Sequence, residues 1–200
     1  MKRTPTSLLL IAALGLAATP ALAQSQGDWT FGIGIGAVMP KSGNGTLAGG
    51  AADIDDNTQL TLTGEYFIRD NLGIELLAAT PFEHDIRING GYAGTTKQLP
   101  PTLSLNYHFA TSGSLTPYVG VGLNYTTFFE ESSPLGVLSL DDSVGIALQV
   151  GADIAISDKA ALRINARWMD IDSDAYLNGA YIGTAEIDPV VVNVGYVHRF

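Results

Sequence analysis

The stretch Val144-Gly145-Ile146-Ala147-Leu148-Gln149-Val150-Gly151-Ala152-Asp153-Ile154-Ala155-Ile156 decides the fold class. Val144, Ile146, Leu148, Val150, Ile154 and Ile156 alternate with Gly145, Ala147, Gln149, Gly151 and Asp153. A period of two belongs to a strand, with a branched apolar stripe on one face and small or polar residues on the other. The run is long enough to cross a bilayer at a tilt, which takes roughly 9–11 residues. The same alternation recurs at 29–39, 59–67, 72–82, 99–109, 117–127, 162–168 and 188–200. Eight strands are therefore predicted. Tight connections at 68–71, 110–114 and 157–159 alternate with long ones at 41–57, 89–97, 129–143 and 172–183. Short turns on one rim and long loops on the other are the outer-membrane barrel pattern. An even strand count lets the first strand pair with the last, so that no edge is left in lipid.

Composition narrows the class further. Residues 1–23 read as a secretory signal peptide: Lys2 and Arg3, an apolar core, then Ala21-Leu22-Ala23 as the cleavage signal. The expected mature chain, 24–200, is one domain. Of 10 Lys/Arg and 20 Asp/Glu, removal of Lys2 and Arg3 leaves 8 bases against 20 acids. That balance, without a basic run, excludes a nucleic-acid binder. The absence of cysteine excludes a disulfide scaffold, thiolate metal sites and a cysteine nucleophile. An apolar content of 46% with 15% charged residues excludes disorder. No apolar run beyond the leader approaches the roughly 18 residues of a spanning helix.

A soluble barrel of lipocalin type would share the alternation. Three features favour the membrane form. The weaker face is rich in Gly, Ala, Ser and Thr, which suit a narrow eight-stranded interior. Aromatics such as Trp29, Tyr66, Phe82, Tyr107, Phe109, Tyr125, Trp168 and Tyr196 sit towards the stripe ends, as in an interfacial girdle. The last residue, Phe200, ends a strand.

Several segments resemble the outer membrane protein W (OmpW) family of small Gram-negative barrels. They are Ala79-Thr80-Pro81-Phe82-Glu83-His84-Asp85-Ile86, Leu99-Pro100-Pro101-Thr102-Leu103 leading to Tyr107-His108-Phe109, and Pro117-Tyr118-Val119-Gly120-Val121-Gly122-Leu123-Asn124-Tyr125. Met169-Asp170-Ile171-Asp172, Ile187-Asp188-Pro189 and Gly195-Tyr196 to Phe200 complete the match. The resemblance implies an outer-membrane barrel that passes small hydrophobic molecules, with an apolar upper lumen and a side exit into the bilayer. It also implies that Tyr196, His198 and Phe200 form the signal read by the barrel assembly machinery, and that some members are bacteriocin receptors.

Parity and topology give each inward residue a height. Glu65, Glu75, His108, Asp153, Arg163 and Arg199 fall near the periplasmic rim. Confined charges must pair, so an ion-pair plug is expected there. Val38, Leu77, Ala79, Phe128, Ala147, Met169, Ile171, Ile187 and Val191 fall towards the outer rim, as an apolar funnel or merely as filling for a small barrel. Pro81, Pro100 and Pro101 lie on neighbouring strands and mark a candidate lateral seam, because proline lacks the ladder donor. Pro40 and Pro189 mark a second. The expected partners are membrane lipids, lipopolysaccharide and small hydrophobic solutes.

Other constellations carry less. Gly32-x-Gly34-x-Gly36 lacks the spacing and helix of a dinucleotide loop. Asp170-x-Asp172-x-Asp174 lacks the Gly and closing Glu of a calcium loop. No metal or cofactor is expected, although divalent ions bridging the acidic loops to lipopolysaccharide fit the charge. Neither His84 nor His108 with Ser104 has the support of a hydrolase triad, so no catalytic residue is assigned. The alternatives to uptake are a closed structural or receptor barrel working through its loops and, less favoured, a lipid hydrolase.

Overall fold

A computed structural model describes residues 24–200, so the expected signal peptide lies outside the described residues. The elements are β1 (Trp29–Met39), β2 (Thr46–Leu47), β3 (Gly50–Ile54), β4 (Asn57–Arg69), β5 (Leu72–Ala79), β6 (Phe82–Ile88), β7 (Gly91–Leu99), β8 (Thr102–His108), β9 (Leu115–Ser132), β10 (Leu138–Leu140), β11 (Ser143–Ser157), β12 (Ala160–Met169), β13 (Asp172–Leu177), β14 (Ala180–Glu186) and β15 (Val190–Arg199).

Eight of these close on themselves in the order β11-β12-β15-β1-β4-β5-β8-β9, with β9 pairing back to β11. Every rung is antiparallel, and β1 meets β15 from Thr30↔Arg199 to Met39↔Val190. Closure leaves the barrel without a free edge strand, so its ladders satisfy their main-chain donors and acceptors without water. The apolar stripes face outward: Ile33, Ile35, Leu60, Leu103, Val121, Leu123, Val144, Val150 and Val194 are all exposed. A folded chain in water buries such a set; here it forms a belt suited to hydrocarbon.

Inside, β1, β9 and β15 supply glycines where strands curve tightly together. A Cβ on Gly122 would lie 2.4 Å from the Leu103 carbonyl oxygen and 2.6 Å from Ser104 Oγ. No side chain fits there without moving the β8 backbone.

The expected long loops are folded. The upper part of β9 leaves β8 and pairs with β7, which continues through β6 and β3 to β2. A second sheet, β10-β13-β14, faces them. The two sheets join where Ala48 N–H donates to Ile182 O at 2.7 Å and where Gly45 bridges Ala185. The barrel wall thus extends beyond the belt as a rolled extension with its own apolar interior of Leu47, Ala52, Ile86, Ala93 and Ala175.

One expectation of parity fails. Phe82 was expected on the outward stripe, but it is buried inside, as are His84 and Ile86. Below Thr80 the inward residues of this strand are odd-numbered (Gly73, Glu75, Leu77); above Pro81 they are even-numbered. An extra residue at the β5–β6 joint turns the upper strand over.

Gly122→Ala is expected to destabilise the barrel by about 1–3 kcal/mol, the usual cost of forcing atoms into a packed site. A lower temperature for loss of the compact gel band in mild detergent checks it; an unchanged temperature would mean that β8 yields freely.

Candidate functional site

The lower lumen is built around Arg163 on β12. Its Nε donates to Asp153 Oδ1 at 2.7 Å and its Nη2 to Asp153 Oδ2 at 2.8 Å, a two-point contact across the β11–β12 rung. Its Nη1 reaches Glu75 Oε2 at 2.7 Å and its Nη2 reaches Glu65 Oε2 at 3.2 Å. Glu65 and Glu75 face each other directly on β4 and β5. Like charges opposite one another repel, and a shared guanidinium removes the conflict.

Arg167, four residues further along β12 and so on the same inward face, donates from Nη2 to Glu75 Oε1 and to Gln149 Oε1, both at 2.6 Å. His108 Nε2 donates to Glu65 Oε1 at 2.9 Å, and Asn106 Nδ2 donates to the same oxygen at 3.0 Å. Gln149 Nε2 donates to Asn106 Oδ1 at 2.5 Å. The Tyr118 ring lies under the cluster, 4.8 Å from Arg163 Cζ and stacked on His108 at 4.9 Å. Gly151 makes room for that ring: a Cβ there would lie 2.6 Å from Tyr118 Cε1. Glu65, Glu75 and His108 are 0% exposed and Arg163 is 2% exposed, so the charges are withdrawn from water.

The structure thus brings together Glu65, Glu75, His108, Asp153 and Arg163. Arg199, the last residue of β15, lies 3.7 Å from Asp28 and lines a small pocket together with Asp153. Arg167, Asn106, Gln149 and Tyr118 join the cluster although none was singled out for it. Their inward parity was the available signal.

Above the cluster, Val38, Phe128, Met169, Ile171, Ile187 and Val191 pack in one buried group with Phe82, Ile54, Leu140 and Ala147. Leu77 is buried on the same inner face of β5 but outside that group. Leu138 packs against both this group and the interior of the extension. Between the two sheets of the extension lies a narrow apolar pocket with about 30 Å³ of free room, lined by Leu47, Ile86, Ala93, Leu138, Leu140 and Ile182 among others. Leu140 belongs both to the pocket wall and to the lumen group, so apolar side chains pack without interruption from the pocket down to the level of Met169.

The prolines fall at a break in the wall. The β5–β8 ladder ends at Leu77↔Thr102, and the β6–β7 ladder begins at Phe82↔Gln98, one residue out of step. Among the described residues, no rung joins 78–81 to 99–101. Continued register would oppose Ala79 to Pro100, which has no N–H to give. Pro81 stands in the first stretch, Pro100 and Pro101 in the second. The second candidate seam is closed: Met39↔Val190 pairs, and Lys41 N–H donates to Ile187 O at 3.0 Å beyond it.

Just above the break, His84 and Gln98 face inward from β6 and β7. His84 Nδ1 lies 2.6 Å from the Asp55 carbonyl oxygen and its Nε2 lies 3.0 Å from Gln98 Nε2. Burial pushes the His84 pKa below its usual value, against the pull of the Asp55 carbonyl and of the Asp56 and Asp55 carboxylates. The loop acids are partly paired: Asp55 with Arg87 at 2.9 Å, Glu186 and Asp188 with Lys41 at 2.6 and 2.9 Å. Asp172 and Asp174 lie on β13, and Asp174 Oδ1 accepts from Thr184 Oγ1 at 2.7 Å. Among the described residues, no group of three or more His, Asp or Glu could hold a metal ion.

The OmpW family model matches residues 25–200. Outer membrane protein W of Vibrio cholerae is 38% identical over 219 residues, covering 100% of both chains. The crystal structure of the outer membrane protein OprG from Pseudomonas aeruginosa superposes with a TM-score of 0.78 at 32% identity, covering 90% of this chain and 99% of that one. A protein of Pseudomonas aeruginosa named dibenzothiophene metabolism operon protein PahQ is 29% identical over 217 residues, covering 100% of both chains.

Arg163→Met leaves Glu65 and Asp153 without their guanidinium partner and Glu75 with Arg167 alone, and is expected to cost about 3–5 kcal/mol, the scale for breaking a buried pair from one side. Urea unfolding in micelles measures it; a loss below about 1 kcal/mol would mean that water already reaches the cluster. His84 acts in the opposite chemical sense. The unfolded chain protonates it near pH 6.5, the folded chain only at lower pH. Its neutral state therefore supports stability above pH 6.5, and that support falls as pH drops below 6.5 towards the folded pKa. His84→Gln is expected to flatten this part of a stability-versus-pH curve.

Proposed function

Because the chain belongs to the OmpW family of outer-membrane barrels, which is not a family of enzymes, we propose that it takes up small hydrophobic molecules from outside and releases them sideways into the bilayer. The observation that carries this is the run of apolar side chains from the extension's pocket to the buried group beneath it, above a charged cluster that closes the lower lumen. A greasy solute gains about 25 cal/mol for each Å² it removes from water, so the pocket captures it. It cannot continue downward. Glu65, Glu75, Asp153, Arg163 and Arg167 satisfy one another, and an apolar molecule offers no replacement for their bonds.

The break at 78–81 and 99–101 stands at the level where the apolar path ends. Its wall has no rungs to part, so sideways passage breaks no ladder hydrogen bond there. The PahQ relative, named for a dibenzothiophene metabolism operon, fits a polycyclic aromatic among the solutes. Val38, Leu77, Phe128, Met169, Ile171, Ile187 and Val191 line the route, and Pro81, Pro100 and Pro101 keep its exit free.

The chain has no cysteine of its own, which makes an introduced pair unambiguous. Ala79→Cys with Pro100→Cys, joined by a disulfide, is expected to cut uptake of naphthalene into protein-containing vesicles at least about tenfold, with recovery on reduction. Undiminished uptake through the cross-linked barrel would discard the sideways route. No uptake by the unmodified protein would favour a closed barrel working as a receptor through its extension.

A further inference from the structure

Gln98 is a buried polar side chain set among the apolar ones of the upper lumen. On β7 it lies opposite Phe82 of β6 and opposite Phe128 of β9, both members of the buried lumen group. Directly opposed residues point to the same face of a sheet, so the Gln98 amide sits between those two rings on the inner face. It is 1% exposed.

The orientation of that amide follows from its neighbours. His84 Nδ1 lies against the Asp55 carbonyl oxygen at 2.6 Å. A carbonyl can only accept, so Nδ1 carries the hydrogen. In the neutral ring Nε2 is then a lone pair, and the group 3.0 Å from it must be the NH₂ of Gln98, which donates. Turning the amide over would set its oxygen against that lone pair. The amide oxygen, Oε1, is therefore the free end, and it is buried without a hydrogen-bond partner. The nearby Thr96 hydroxyl donates to the Lys97 carbonyl at 3.3 Å.

We propose that Gln98 sets the specificity of the apolar lumen: its unpartnered amide oxygen selects small apolar molecules bearing one O–H or N–H donor over hydrocarbons of the same shape. The inference rests on the uptake reading and names its preferred substrate class, a phenol or an alcohol on an apolar frame. A plain hydrocarbon leaves the acceptor unsatisfied. A ligand donor completes it, and exchanges its own lost water contact for a bond in a dry site. An ether oxygen in the same place only accepts and gains nothing.

The test uses the protein in lipid nanodiscs, titrated with naphthalene, 1-naphthol and 1-methoxynaphthalene. Each dissociation constant is corrected for partition of the probe into empty nanodiscs. The wild-type protein is expected to bind 1-naphthol about tenfold more tightly than 1-methoxynaphthalene, the ratio that one added buried hydrogen bond supports. In Gln98→Met that ratio is expected to fall to about one, because Met keeps the length but offers only a weakly accepting sulfur. The three-probe comparison on wild-type protein needs no variant, so it stands even where Gln98→Met folds poorly. Equal corrected affinities for the three probes, or a naphthol preference that survives in Gln98→Met, would overturn the role of Gln98 and leave uptake intact. Binding of none of the probes would overturn both.

Discussion

Everything in this molecule follows from closing eight strands on one another in a medium without water. Each rung of the wall must be made, because lipid offers no substitute partner. A ring of eight is narrow, so its interior takes glycines, small polar side chains, or large ones that fit together completely. Glu65 opposite Glu75 is a repulsive pair in isolation. With Arg163 between them, and with Asp153, Arg167, His108, Asn106 and Gln149 around them, it becomes a tie across five of the eight strands. The contribution of such a buried cluster is less net stability than a single solution to the packing of the interior.

The upper half obeys a different rule. There large apolar side chains fill the interior beside the His84–Gln98 pair, and the wall is interrupted where proline cannot supply a rung. The charged end and the apolar end thus divide the lumen by chemistry. At one end carboxylates and guanidinium groups satisfy one another. At the other, apolar side chains pack against apolar side chains.

Much of the barrel was legible in the sequence because lipid on one side and a narrow lumen on the other enforce strict alternation. Each of the eight barrel strands falls within or next to a run read from parity. The inward heights of Glu65, Glu75, His108, Asp153 and Arg163 came from the same count. Arg199, counted inward with them, stands at the end of the last strand, near Asp28 and in one pocket with Asp153. The extension was read as loops. Its hairpins are nevertheless announced by Asn89-Gly90 and Asn178-Gly179, where both residues have positive φ as a two-residue turn requires. Phe82, His84 and Gln98 were not assigned their places. For Phe82 and His84 the reason is physical: alternation predicts a face only while the count is unbroken, and it breaks at Thr80–Pro81.

That break makes chain length, rather than side-chain identity, the guarded property of the joint. Deleting one residue there would exchange Phe82, His84 and Ile86 for Glu83, Asp85 and Arg87 on the interior, turning a dry compartment into a wet one at a stroke. Substitutions at the same place leave the phase untouched. The upper compartment therefore behaves as a module keyed to the barrel by its phase, free to diversify in composition so long as the spacer keeps its size.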